Sequence, residues 1–207
     1  MQHKYPSQLV ENAVEQLSNL PGIGRKTALR LALHLLSKTP AFTHNITSAL
    51  DRLRDGIVYC RSCHNVSDTE LCPICADPKR DCRTLCVVQN VSDVLAIENT
   101  AQYKGLYHVL GGVISPIEGI GPSQLTIDAL IQRIHEEEIQ EVILALGSTM
   151  EGDTTNFFIY RRLSGLDVRI SVIARGIAVG DEIEYADEIT LGRSILNRIS
   201  FDQAIKH

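Results

Sequence analysis

Apolar residues in the first part of the chain recur at helical spacing. Leu9, Val10, Ala13, Val14, Leu17 and Leu20 predict a helix over residues 7–20, which Pro21-Gly22 stops. Ala28, Leu29, Leu31, Ala32, Leu35 and Leu36 resume the period and predict a second helix over 25–37, ending before Pro40. The two helices then share a four-residue hairpin, and a third helix is predicted over 46–57. Polar, proline-containing knuckles follow, in which cysteine spacing replaces hydrophobic periodicity.

Beyond residue 81 short β-rich runs alternate with helical ones. Strands are predicted over 85–88, 107–110, 142–146 and 168–173, and helices over 92–100, 125–137 and 154–163. This alternation implies a largely parallel sheet covered by helices, with ligand or partner sites at the strands' carboxyl ends. The expected fold class is therefore α/β, preceded by a small helical domain and a cysteine module.

With 44% apolar and 22% charged residues among 207, the chain can bury a sizeable core. Residues 1–10 hold no apolar signal core, and no apolar run approaches the roughly 18 residues of a membrane span. A cytoplasmic, membrane-free protein is expected. The net charge of -5 hides an asymmetry: residues 1–83 carry 11 Lys+Arg against 8 Asp+Glu, and residues 84–207 carry 9 against 17. A basic front can hold a phosphate-binding surface while an acidic back serves protein contacts.

Four of the six cysteines form Cys60-x-x-Cys63 and Cys72-x-x-Cys75, eight residues apart. Four thiolates on two knuckles suit one closed tetrahedral zinc ion (Zn2+), with no ligand position open for catalysis. Such an ion contributes roughly 10 to 16 kcal/mol of apparent binding energy to a segment too small to fold alone. An iron–sulfur cluster or a redox dithiol explains the tandem knuckles less directly. Cys82 and Cys86 read as core or near-core side chains, and His64 as a bystander.

Leu20-Pro-Gly-Ile-Gly-Arg-Lys-Thr-Ala28 is a tight glycine turn opening into a helix and looks like a helix-hairpin-helix motif. Gly22 and Gly24 let the turn approach a phosphate, the helix start offers free N–H donors, and Arg25, Lys26 and Arg30 add charge. Such a site binds DNA backbone without reading sequence. A nucleotide-binding P-loop is excluded, because Arg25 stands where its glycine belongs and a helix precedes the turn. A plain turn between two core helices stays open as the alternative.

The hairpin, both knuckles and Gly105-Leu-Tyr-His-Val-Leu-Gly-Gly112 together resemble the RecR family. The resemblance extends through Gly119-Ile-Gly-Pro122, Thr149-Met-Glu-Gly-Asp153 and Ala174-Arg-Gly-Ile-Ala-Val-Gly180, covering about residues 7–198. It implies a helix-hairpin-helix domain (1–57), a four-cysteine zinc finger (58–81), a Toprim domain (82–175) and a carboxyl-terminal arm (176–207) for oligomerisation. It also implies a ring-like homotetramer that acts with RecO, and in some settings RecF, to load RecA onto single-stranded DNA coated by single-stranded-DNA-binding protein.

Catalytic Toprim relatives carry a glutamate after the first strand and an Asp-x-Asp pair after a later one, which hold divalent metal. Here Gln89 stands at the first place, and Gly147 and Thr149 at the second. Neither nuclease, primase nor topoisomerase activity is expected. Glu151 and Asp153 stay near that edge, fitting a basic partner protein or a weak magnesium site. The acidic cluster Asp181, Glu182, Glu184, Asp187 and Glu188 reads as a solvated face or arm contact. A divergent magnesium-dependent Toprim phosphotransferase and a zinc-finger regulator remain as alternatives; the latter lacks a recognition helix.

Overall fold

The computed structural model describes Tyr5 and residues 7–204, which form two compact units dividing between Ile57 and Val58. The first unit is helical: α1 (Gln8–Ser18), α2 (Arg25–Leu36) and α3 (Pro40–Gly56). Ser7 caps α1 by accepting from the Leu9 N–H at 3.2 Å. Val14 of α1 and the small side chains Ala28 and Ala32 of α2 make the buried core, with Val10, Leu17, Ile23 and Leu29 packed on it. The third helix begins at Pro40, not near residue 46. Proline lacks an N–H and presets the helical φ, so at the first helical position it starts a helix as readily as it stops one. No residue of α3 is buried.

The second unit opens with the antiparallel pair β1 (Val58–Tyr59) and β2 (Val66–Ser67), which the sequence pattern does not predict, and the single turn α4 (Pro73–Ala76). Next come β3 (Asp81–Val88), α5 (Val91–Asn99), β4 (Gly105–Val109), α6 (Ile127–Glu136), β5 (Glu141–Ala145), α7 (Met150–Leu163) and β6 (Arg169–Val172). The described residues close with α8 (Glu188–Leu196) and α9 (Phe201–Ala204). The four long strands pair in parallel in the order β4-β3-β5-β6, the parallel, helix-covered sheet that the alternation predicts.

Period-two alternation divides the strands between two cores. Leu85, Val87, Val142 and Leu144 face Ile127, Leu130 and Ile134 of α6 and Ile159 and Leu163 of α7. Cys86, Val88, Tyr107 and Val109 face Val94 of α5. Burial pushes the Cys86 thiol up to about 12, consistent with a core side chain. Cys82 is exposed, contrary to the near-core expectation, because it lies toward the start of β3, where the strand is solvent-facing. Gln89 follows β3, and Gly147 lies just beyond β5. Between these strands the connectivity reverses, and open α/β sheets bind ligands at that crevice.

Helix α7 starts at Met150, ahead of the predicted 154, because Thr149 caps it: its Oγ1 accepts from the Gly152 N–H at 3.0 Å. At Gly152 a Cβ would stand 2.0 Å from the Gly147 carbonyl oxygen, so only glycine lets the helix start this close to the strand end. Helix α8 has no counterpart among the predicted elements. Its N-cap is Asp187, whose carboxylate accepts from the Thr190 N–H at 2.9 Å, so part of the acidic cluster is capping chemistry.

Candidate functional sites

Cys60, Cys63 and Cys72 are buried and Cys75 is partly exposed; their sulfurs all lie within 4.8 Å of one another. Four sulfurs bound about 2.3 Å from a zinc ion stand about 3.8 Å apart, and Cys63 and Cys72 already approach to 3.5 Å. The backbone is shaped to this cluster. The Cys72 N–H points at the Cys60 sulfur at 3.3 Å, the Cys75 N–H at the Cys72 sulfur at 3.5 Å, and His64 takes a left-handed φ of 59° to close the first knuckle. The hydrogen bond from Cys63 holds the Cys75 thiol down at about 6, while that bond and burial push Cys63 up. Thiols this crowded share protons that a divalent cation displaces. His64 does not join the cluster; its ring lies edge-on to His108 at 5.2 Å.

Both knuckles are fastened to the sheet. The Val109 N–H at the end of β4 donates to the Cys63 carbonyl at 2.8 Å. Ile74 packs against the core on the α5 side, and Arg80, just after α4, ion-pairs with Glu98 of α5. The Tyr107 hydroxyl also donates to Glu98, at 2.7 Å. Sequence reasoning missed Arg133, which lies buried on α6. A signal was available: three residues after Leu130, it places a charge on the apolar stripe of Ile127, Leu130 and Ile134.

In the helical unit, the connection between α1 and α2 runs over residues 19–24, longer than the predicted four. Gly22 sits at φ 77°, a left-handed conformation that a side chain would strain. Gly24 is the N-cap of α2 and has no side chain to cap with, so the N–H groups of Arg25, Lys26 and Thr27 stay free, the first intrahelical bond being Ala28 to the Gly24 carbonyl. Lys26 and Arg30, four apart, share a face roughly opposite the buried Ala28 and Ala32. Arg25, Lys26 and Arg30 are exposed, and no ion pair among the described residues engages them. Free N–H donors, the positive end of the helix dipole and two or three cations converge on one exposed turn.

The acidic pair beyond the carboxyl end of β5 is arranged differently. Glu151 and Asp153 lie in the first turn of α7. Asp153 accepts from both terminal nitrogens of Arg175, at 2.5 and 3.3 Å, and Arg193 of α8 lies 3.8 Å away. Its carboxyl is held below the usual range, chiefly by the hydrogen bond from Arg175.

Four family models match in succession: the RecR helix-hairpin-helix over residues 10–53, the RecR four-cysteine zinc finger domain over 57–77, the Toprim domain over 83–174 and the RecR C-terminal segment over 176–199. The recombination protein RecR of Porphyromonas gingivalis is 65% identical over 206 residues, covering 100% of both chains. Its counterpart in Parabacteroides distasonis is 62% identical, over 98% of this chain and 97% of the relative. That of Flavobacterium johnsoniae is 56% identical over 99% of each. The zinc finger match falls on the cysteine cluster, so the metal of this module is one structural zinc. With these matches in chain order and identities of this size over its whole length, the chain belongs to the RecR family of recombination proteins.

Proposed function

We propose that this chain is a DNA-binding recombination mediator that works by assembly. It acts with RecO, and in some settings RecF, to load RecA onto single-stranded DNA coated by single-stranded-DNA-binding protein. The observation that carries this reading is the open start of α2. The turn shaped by Gly22 and Gly24 and the uncapped N–H groups form a phosphate cradle, flanked by Arg25, Lys26 and Arg30. Nothing in it reads a base edge, so binding is independent of sequence. Cys60, Cys63, Cys72 and Cys75 ligate the zinc and make the two knuckles rigid.

The non-enzymatic reading rests on the strand ends. Gln89 follows β3, Gly147 and Thr149 follow β5, and Asp153 is engaged by Arg175, which leaves little anionic charge to hold magnesium there. Glu151, free of ion pairs among the described residues, is the better candidate for a basic partner surface. Self-association into a ring-like homotetramer is supported by unpartnered apolar surface in both units. Phe42, Ile46, Leu50 and Leu53 line one face of α3, 40% to 59% exposed, and Ile183, Tyr185, Ile189, Leu196 and Phe201 are exposed in the carboxyl-terminal arm. Among the described residues no helix is long and apolar enough to cross a membrane, and we place the protein in the cytoplasm, on the nucleoid when bound to DNA.

The test is RecA filament assembly on gapped DNA coated with single-stranded-DNA-binding protein, with RecO present. The chain should shorten the lag, and Lys26→Ala/Arg30→Ala should restore it. Magnesium-dependent DNA cleavage abolished by Glu151→Ala would instead establish the phosphotransferase alternative.

A further inference from the structure

Helix α6 sends Arg133 inward from its last turn until the side chain is only 6% exposed. Nη1 donates to the Tyr107 carbonyl of β4 at 2.8 Å and to the Ser62 carbonyl, inside the first cysteine knuckle, at 3.3 Å. Nε donates to both carboxylate oxygens of Glu137, at 3.1 and 3.0 Å. Nη2 is buried without a hydrogen-bond partner among the described residues. Burying a guanidinium at this depth is costly unless fixed negative charge lies near it. Glu137 is 40% exposed and so supplies only a solvent-weakened share. The large fixed anion on this side of the unit is the metal cluster, since four thiolates around one divalent ion carry about two net negative charges.

We propose that Arg133 is a positioning residue of the zinc site, tying the first knuckle to strand β4 and balancing the charge of the zinc tetrathiolate. The proposal rests on ligation by the four cysteines. It makes zinc retention a property of the Toprim helix α6 as well as of the knuckles. With the Val109 N–H bonded to the Cys63 carbonyl, the knuckle and the end of β4 form one hydrogen-bonded piece. Zinc loss should therefore loosen the end of β4, and loss of Arg133 should loosen zinc.

The experiment challenges the zinc-loaded full chain with a chromogenic chelator. Arg133→Met keeps most of the volume but removes charge and donors, and Arg133→Lys keeps the charge. Zinc should leave Arg133→Met about 10-fold faster or more than wild type, with Arg133→Lys between them. The tetrathiolate absorption of cobalt-substituted protein should persist in both variants. Equal release rates from folded Arg133→Met and wild type overturn the proposal. Should that variant not fold, Arg133→Lys decides in its place, and release from it at the wild-type rate overturns the proposal. On zinc removal, hydrogen-exchange protection should fall at the Val109 amide and hold at Leu144 of β5; unchanged protection at Val109 overturns the proposal. Wild type that takes up no zinc, or Cys75→Ser that keeps it as wild type does, overturns the ligand assignment itself, and so separates the two failures.

Discussion

Helices α2 and α7 both begin at a glycine-containing turn, and their first turns carry opposite chemistry. Helix α2 starts on Gly24, which has no side chain to offer, and is followed by Arg25, Lys26 and Arg30. Its donors and dipole are left for an external anion. Helix α7 starts on Thr149, which satisfies the Gly152 N–H, and carries Glu151 and Asp153 in its first turn. There the dipole is met from within and the surface is acidic. The open start can accept an anion and the acidic one repels it, although the α7 start lies at the carboxyl end of β5, the end of the sheet where α/β enzymes work. Helix starts thus become binding sites or structural joints according to whether the chain supplies its own cap.

Glycines mark the same difference, and substitutions can break it. The largest effect is expected away from both helices, at the knuckles: Cys72→Ser should take the zinc content measured by atomic absorption from one per chain to near zero and lower the melting temperature most. Gly152→Ala forces a Cβ against the Gly147 carbonyl, and should cost about 1 to 3 kcal/mol in denaturant unfolding. Gly24→Ala, with nothing within 4 Å, should change stability by less than about 1 kcal/mol. If the two alanines cost the same, α7 is not pressed on the strand end as described. Between them, Gly22→Ala forces a side chain to φ 77° and should cost about 1 to 2 kcal/mol while weakening DNA binding.

The smallest effect is expected at Asp153. Its carboxyl is held below the usual value, so the stability that it adds is fully present above the unfolded pKa and is lost as pH falls through the lowered folded value. Asp153 is 43% exposed, so screening keeps the contribution within about 1 kcal/mol. Asp153→Asn should lower the melting temperature slightly at neutral pH, with the gap to wild type closing in acid. A gap that widens in acid would contradict the ion pair with Arg175.

Elements with strong periodicity were legible in the sequence. Leu85, Val87, Val142 and Leu144 announce buried strands, and the knuckle spacing announces the metal. What escaped was written in single residues whose meaning depends on position. Pro40 stops one helix pattern or starts the next, and only the extended backbone of Thr39, the N-cap, decides which. Thr149 and Asp187 are caps, short-range hydrogen bonds that no hydrophobic period records. Strands β1 and β2 have two residues each, too few to show alternation. Glu151 and Asp153 read as an equivalent acidic pair. Their difference comes from Arg175, which is distant in sequence and brought close by the fold.

The central claim is that the start of α2 is the DNA surface. The direct test is DNA affinity against salt concentration for wild type and Lys26→Ala/Arg30→Ala, on unrelated sequences, with and without RecO. If both side chains meet phosphates, the variant should bind more weakly on every sequence, with the slope of log K against log salt reduced by about 2. Unchanged affinity and slope would make the hairpin a structural turn and move the DNA surface elsewhere.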